Sequence, residues 1–246
     1  MRRITWLFLF FLSLAIKPSA QTHDVAINNV LKSINNFRSE ERKRDSILNH
    51  PLGSNSEGDF LRRYTFHDSI YSVLNKIDTS SLSFEGQINL ELLKYGMEDE
   101  ISSYKYKSYL NPILSDEGFH TEIASMGSRV LSSKKEFEDY ISDLKDIPRY
   151  VDENLALMRR GLKLGICQPR VILNGYQNTY EQHIVSDVTK SVFWKPFLKK
   201  PFGISDDDWK KITDEGKIAV QQYAIEGFRK IKKFFDEEYL PKTRTT

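Results

Sequence analysis

Apolar residues recur every three or four positions along most of this chain, a spacing that places them on one face of an α-helix. The clearest example begins at Ser133 and Glu136, which have the spacing of a capping box at the start of a helix. Pro148 lies inside this run, so either one helix kinks there or two helices meet; we expect two helices that meet at residues 146–148. The apolar positions behind the box are Phe137, Tyr140, Ile141, Leu144, Ile147, Val151, Leu155, Met158 and Leu162.

The segments before this run follow the same pattern. Helices are predicted around residues 30–37, 64–77 and 84–103. A loop rich in glycine, proline and serine separates the first two at residues 50–58. The predicted apolar positions of the 84–103 helix are Ile88, Leu92, Tyr95 and Ile101.

A last long helix is predicted near the C-terminal end. Ser205 and Asp208 have capping-box spacing, and the helix behind them is expected to end near Leu240, because the residue before a proline disfavours helix. Only residues 104–110 alternate in the manner of a strand. The sequence therefore predicts an all-α fold, a multi-helix array.

Residues 1–20 have the features of a secretory signal peptide. A basic start is followed by an apolar run from Trp6 to Ile16, which is too short for the ~20 residues that span a bilayer. We expect cleavage before Gln21 and export to the periplasm or the extracellular space, with no transmembrane segment left in residues 21–246. The alternative is a retained amphipathic anchor.

The charge balance argues against a nucleic-acid partner. The chain has 36 Lys and Arg residues against 34 Asp and Glu residues, and residues 1–20 hold three of the bases and no acid. Nucleic-acid surfaces and polybasic membrane patches need clustered positive charge, which this balance does not favour. Cys167 is the single cysteine, so the exported fold has no internal disulfide and depends on its core.

Known catalytic motifs are absent from the sequence. The five histidines are spaced too widely for an H-E-x-x-H motif, and there is no cysteine pair for zinc, no G-x-S-x-G and no phosphate loop. We expect the acidic runs at residues 98–100 and 206–208 to be solvated faces or helix N-termini. Cys167 is expected to pack as a small apolar residue between a helix end at Gly165 and a helix start at Pro169.

Gly118, Phe119 and His120 are the candidate site residues. They follow a run of loop residues after Asn111 and precede Gly127. A histidine flanked by glycines on a long connection can face a ligand. The alternative is a histidine that caps or braces the loop.

Several segments of the chain, taken in order, form a recognisable set: residues 111–114, 118–120, 137–141, Leu144, 147–150, 155–161, Gly165, 169–171 and 235–241. This ordered set resembles one family, the large bacterial family catalogued as domain of unknown function eight-eight-five. The resemblance covers most of the mature chain and is strongest at residues 108–241. It implies a predominantly helical protein, exported in many members, of a zinc metallopeptidase group of the gluzincin kind.

The resemblance also implies where the family's chemistry lies. Its metal motif, H-E-x-x-P-G-H-H, follows the segment that corresponds to residues 239–241, and this sequence ends at Thr246. No zinc ligand or general base can therefore be assigned here, although zinc is implied for the full-length family. We expect a truncated chain, the N-terminal part of a larger peptidase-like domain, that forms one wall of a helical metallopeptidase-like cleft.

Three functional hypotheses remain open from the sequence. The first is the non-catalytic N-terminal portion of an exported zinc metallopeptidase-like protein acting on peptides, inactive alone, whose partner is a missing C-terminal half or a peptide substrate. The second is an independent exported helical module that binds a peptide or a protein. The third is a helical glycosidase using two carboxylates, for which the sequence singles out no pair. Under the first hypothesis we expect the isolated chain to be poorly soluble or to self-associate.

Overall fold

The computed structural model describes residues 24–244 of the chain, which contain eight α-helices. An isolated antiparallel bridge joins Ile113 to Gly118, and the described residues form no longer strand, so the predicted all-α helix array is confirmed. The predicted signal peptide, residues 1–20, lies outside the described residues. The helices are α1 (Val25–Leu48), α2 (Glu57–Leu74), α3 (Phe84–Lys105), α4 (Phe119–Ser125), α5 (Lys134–Lys163), α6 (Asn178–Glu181), α7 (Asp206–Ala219) and α8 (Ile225–Phe234).

The helices bury two separate apolar cores. Helices α1, α2 and α3, called the N-terminal unit below, enclose the smaller core, built on Val30, Leu74 and Leu90. The larger, the main core, lies around α5 and is covered by α4, α7 and α8. Because apolar burial is the dominant favourable term in folding, each part of the chain has its own source of stability. The largest fully buried side chains of the main core are Phe137, Tyr140, Tyr180, Phe193, Phe228, Phe234, Phe235 and Tyr239.

Helix α5 runs without a break through Pro148, which corrects the expectation of two helices meeting there. Proline has no amide hydrogen and normally kinks a helix. Ile147 and Val151, on either side of it, are fully buried. At Gly227, α8 approaches so closely that an added Cβ would lie 2.6 Å from Ile147 Cγ2. Helix α5 is thus continuous at Pro148, where it packs tightly against α8.

The side of α3 that packs differs from the predicted one. Leu90, Met97 and Ile101 are buried, and only Ile101 belongs to the predicted apolar set. The helix carries apolar residues on two sides, so spacing alone does not show which side faces the core. We call the outward side the α3 stripe. Its members, 45–79% exposed, are Phe84, Ile88, Leu92 and Tyr95.

Serine caps begin the helices predicted from capping boxes. Ser133 Oγ accepts a hydrogen bond from the Glu136 amide at 3.3 Å, and Ser205 Oγ accepts one from the Asp208 amide at 3.1 Å. Both predicted helix starts are confirmed, because each serine oxygen satisfies an amide that has no partner inside the helix.

Helix α2 begins earlier than predicted, directly after Ser56. The Ser56 amide donates to the Asp59 carboxylate at 2.9 Å, which completes a capping box inside the segment assigned to a loop. Burial alone would raise the pKa of Asp59, but hydrogen bonds from Ser56, Arg44 and Arg62 hold it well below its usual range. The cap is therefore also an ionic connection between α1 and α2, since Arg44 belongs to α1.

The junction loop, residues 49–56, connects α1 to α2 and contacts α5. Its backbone groups bond to charged side chains on one side of α5, so the N-terminal unit is held against the main core. Charged groups make the stronger hydrogen bonds of proteins. The bonds run from the Leu52 amide to Asp146 (3.1 Å), from Arg149 to the Gly53 carbonyl (2.8 Å), and from the Asn55 amide to Glu153 (2.9 Å).

The turn after α5 has the predicted form. The helix ends at Lys163, and Gly165 adopts the left-handed region at φ +72°, as expected for a glycine that terminates a helix. Cys167 is buried in the main core, as predicted, and the neighbouring Gln168 amide donates to the Tyr239 hydroxyl at 3.0 Å. Within residues 24–244, no helix is both long enough and apolar enough to cross a membrane.

Candidate functional site

A groove of about 860 Å³ lies where the junction loop, the loop at residues 111–118, α4 and α5 meet. This volume is within the range of ligand-binding pockets. The groove draws its walls from both sets of helices, because Phe60 belongs to α2 of the N-terminal unit while Tyr150 and Asn154 belong to α5. The remaining lining residues are Asn55, Asn111, Pro112, Ile113, Leu114, Asp116, Glu117, Gly118, Phe119, Thr121, Glu122 and Ser125.

Tyr150 and Asn154 contribute the α5 side of the groove. They lie four residues apart on the helix, so their side chains share one face. Asn154 is only 3% exposed, and its Nδ2 donates to the Tyr150 carbonyl at 2.8 Å. Burial, assisted by the nearby Glu122, raises the pKa of the Tyr150 phenol, which therefore stays a neutral donor near pH 7. This side offers an aromatic ring, a hydroxyl and an amide.

The opposite rim is acidic. Asp116, Glu117 and Glu122 line the groove, and its lining contains no lysine, arginine or histidine. Clefts lined by charges of one sign concentrate ligands of the opposite charge. The groove therefore favours a ligand that carries an amine or another cation.

Internal hydrogen bonds fix the shape of the 111–118 loop. The Leu114 amide donates to the Glu117 carbonyl at 2.9 Å, and the Phe119 amide donates to the Pro112 carbonyl at 3.1 Å. At Gly118 there is no room for a side chain, since an added Cβ would lie 2.9 Å from the Ile113 Cγ2. The glycine thus allows the loop to close against the start of α4.

The predicted site residues divide into two groups in the structure. Gly118 and Phe119 line the groove, although Phe119 is largely buried. His120 does not line it; the ring is fully buried behind Gly118, and its Nε2 lies 2.8 Å from Thr179 Oγ1. A role for these residues in contact with substrate stays a prediction, and His120 could act there only through its neighbours.

His120 lies in a strongly apolar environment. Its ring makes edge contacts with Phe119, Tyr176, Tyr180 and Phe235, at centroid separations of 5.4–6.3 Å. Burial, followed by repulsion from His183, lowers the pKa of His120 to about 4. Among residues 24–244, its Nδ1 finds no hydrogen-bond partner. The imidazole is therefore neutral near pH 7 and braces α4 against the main core.

Sequence reasoning missed the polar face of α5. Tyr150 and Asn154 lie beside the apolar face of the helix, and Asn154 is buried. An asparagine among the apolar positions of an amphipathic run is the sequence signal that could have identified them. The acidic rim was also missed, because Asp116, Glu117 and Glu122 converge only when the loop closes on α4. Among residues 24–244, no group of three or more His, Cys, Asp and Glu side chains is placed to hold a metal ion.

The fold and the groove together define an all-α protein with an acidic-rimmed groove between two helical units. Comparison with known families gives a more specific result. The chain belongs to the family described as bacterial protein of unknown function (DUF885), whose model matches residues 42–246 and so includes every residue of the groove. No curated protein and no solved structure matches the chain.

Proposed function

We propose that this chain is the non-catalytic N-terminal portion of an exported, zinc metallopeptidase-like protein, and that it forms one wall of the cleft that holds a peptide. The groove between the two helical units is the observation that carries the proposal. In this role the chain binds and orients the peptide.

The chemistry of the groove suits a peptide. A peptide backbone presents alternating donors and acceptors, and the amides of Asn55, Asn111 and Asn154 can supply both. Apolar side chains of a peptide can pack against the rings of Phe60 and Tyr150. The acidic rim is complementary to a free amino terminus or a basic side chain.

Zinc, which the family resemblance implies, does not fit the described residues. Residues 24–244 provide no cluster of three metal-ligating side chains. The ring of His120, whose Nδ1 is unpartnered within these residues, is enclosed by aromatic rings and belongs to no group of metal-ligating side chains there. We therefore assign no step of zinc chemistry to these residues.

The α3 stripe supports a role as part of a larger assembly. Four exposed apolar side chains at helical spacing on one side of α3 form a surface that water does not favour, and such surfaces mark interaction sites. We expect the purified chain to self-associate through this surface, as sedimentation velocity at increasing concentration would show.

A monodisperse monomer with a sharp thermal transition would favour the second candidate, an independent exported module that binds peptides or proteins in the same groove. The two separate cores favour that candidate.

Peptide retention tests the proposed function. The purified chain would be dialysed against a mixed library of hexapeptides with free termini, and retained peptides would be identified by mass spectrometry. Groove variants Glu122→Gln and Asn154→Leu should retain fewer peptides than the wild type, and Glu122→Gln should lose mainly those with an amine. Glu138→Gln, an equal charge change at an exposed position of α5, is the control. Retention by both groove variants equal to that of the control would overturn the proposal.

A further inference from the structure

We propose that a second pocket, next to the groove, binds the carboxylate end of the peptide whose remainder occupies the groove. This inference rests on the proposed function and deepens it. The tyrosine pocket, as we call it, has a volume of about 490 Å³. Its lining residues are Glu57, Gly58, Leu61, Tyr64, Tyr104, Lys105, Lys107, Tyr109 and Arg160.

Three of these residues belong to a ladder of stacked rings. Tyr64 stacks on Tyr104 at a centroid separation of 4.5 Å, Tyr104 on Tyr109 at 5.5 Å, and Tyr109 on Phe60 at 4.6 Å. The rings come from α2, from the end of α3 and from the turn after it, so the ladder ties these elements together. A flat aromatic wall with phenol donors can contact an apolar side chain and donate to an anion.

The charge of the tyrosine pocket is opposite to that of the groove. Lys105, Lys107 and Arg160 line it together with a single carboxylate, Glu57. Arg160 already forms an ion pair with Glu57. Within residues 24–244 neither lysine pairs with a carboxylate, which leaves two ammonium groups for a ligand. Cations of this kind recognise carboxylates through charge-assisted hydrogen bonds.

Phe60 connects the two sites. Its ring lines the groove and stacks on Tyr109, which lines the tyrosine pocket. Along the chain, Asn55 belongs to the groove, whereas Glu57 belongs to the pocket. An extended ligand can therefore pass over Phe60 from an acidic site to a basic one. A peptide with free termini has this polarity, with its amine at the groove and its carboxylate at the lysines.

The structural alternative for Lys105 is local. It occupies the last turn of α3, where a cation stabilises the helix end without any ligand. Lys107 does not share this explanation, because it follows the helix in the left-handed conformation at φ 58°. If Lys105 only stabilised the helix end, its replacement would lower the stability of the protein. The protein would then retain peptides with a C-terminal carboxylate and peptides with a C-terminal amide equally.

A comparison of free-acid and amidated peptides tests the inference. Two hexapeptide libraries, identical except for a C-terminal carboxylate or carboxamide, would be dialysed against the purified chain. The wild type should retain the free acids about tenfold more strongly, which corresponds to about 1.4 kcal/mol. The double variant Lys105→Gln, Lys107→Gln should retain both libraries equally. Lys32→Gln with Lys43→Gln, an equal charge change on α1, is the control and should keep the preference.

The outcomes separate this inference from the proposed function. If the wild type retains both libraries equally, the tyrosine pocket does not bind the carboxylate, while peptide binding in the groove still stands. If the control double variant loses the preference together with the pocket variant, the effect is one of net charge and the inference fails. If no peptide of either library is retained, the proposed function itself fails.

Discussion

Acid should destabilise the main core through the buried imidazole of His120. The pKa of this group is about 4 in the folded protein against its ordinary value of 6.5. Because the folded-state pKa is the lower one, the unfolded chain binds the proton more readily. The contribution of His120 to stability is therefore complete above pH 6.5 and is lost as the pH falls towards 4.

The magnitude follows from the same two values. Each pH unit below 6.5 removes about 1.4 kcal/mol until the folded-state pKa is reached, so at about pH 5 the loss is about 2 kcal/mol. His120→Gln removes the titration and keeps an amide that can pair with Thr179. The variant is expected to be less stable than the wild type near pH 7, but to lose about 2 kcal/mol less between about pH 7 and about pH 5.

Urea unfolding at the two pH values would measure the difference. Tryptophan fluorescence is the suitable signal, because Trp194 and Trp209 both pack against the main core. His183, whose pKa is also lowered by burial, is present in both proteins and cancels in the comparison. Equal losses for the wild type and His120→Gln would refute the reasoning, since they would mean that the folded protein admits the proton or water at Nδ1.

Three further substitutions test the packing and the contact of the junction loop with α5. Gly127→Ala would place a Cβ 2.5 Å from the Val192 carbonyl oxygen and should lower the free energy of unfolding in urea by about 1–3 kcal/mol. Gly96→Ala, which has open space around it inside α3, should raise that free energy by about 0.5–1 kcal/mol. An equal loss of stability in the two variants would contradict the packing. Arg149→Met removes charged hydrogen bonds to the junction loop and to the buried Asp146, and should lower the free energy of unfolding by about 2 kcal/mol. An unchanged urea midpoint would contradict this role of Arg149.

The sequence pattern was sufficient where local physics decides the structure. Helix starts at Ser133 and Ser205, the helix end at Gly165 and the burial of Cys167 each depend on a few neighbouring residues, and all were predicted. The start of α2 was missed because the breakers that precede Ser56 concealed a cap of the same kind.

Contacts between distant segments decided the rest. Pro148 was expected to separate two helices, and the continuity of α5 depends on its packing against α8, far along the chain. For α3, the apolar residues on both sides gave no local reason to prefer the side of Leu90 over that of Leu92. The groove illustrates the same limit: Gly118 and Phe119 were predicted as site residues, but the polar groups of α5 join them only through the fold.

The single buried thiol of Cys167 gives this protein a natural kinetic reporter. The neighbouring Gln168 amide donates to the Tyr239 hydroxyl, which in turn donates to Asn111 at 2.7 Å, so we expect a thiol reagent to label Cys167 faster when the turn after α5 separates from Tyr239. Asn111 lines the groove, so we expect a ligand that occupies the groove to change the rate of thiol modification through this tyrosine. Ligand screening could therefore be carried out by following how slowly the native chain is labelled, without any engineered cysteine.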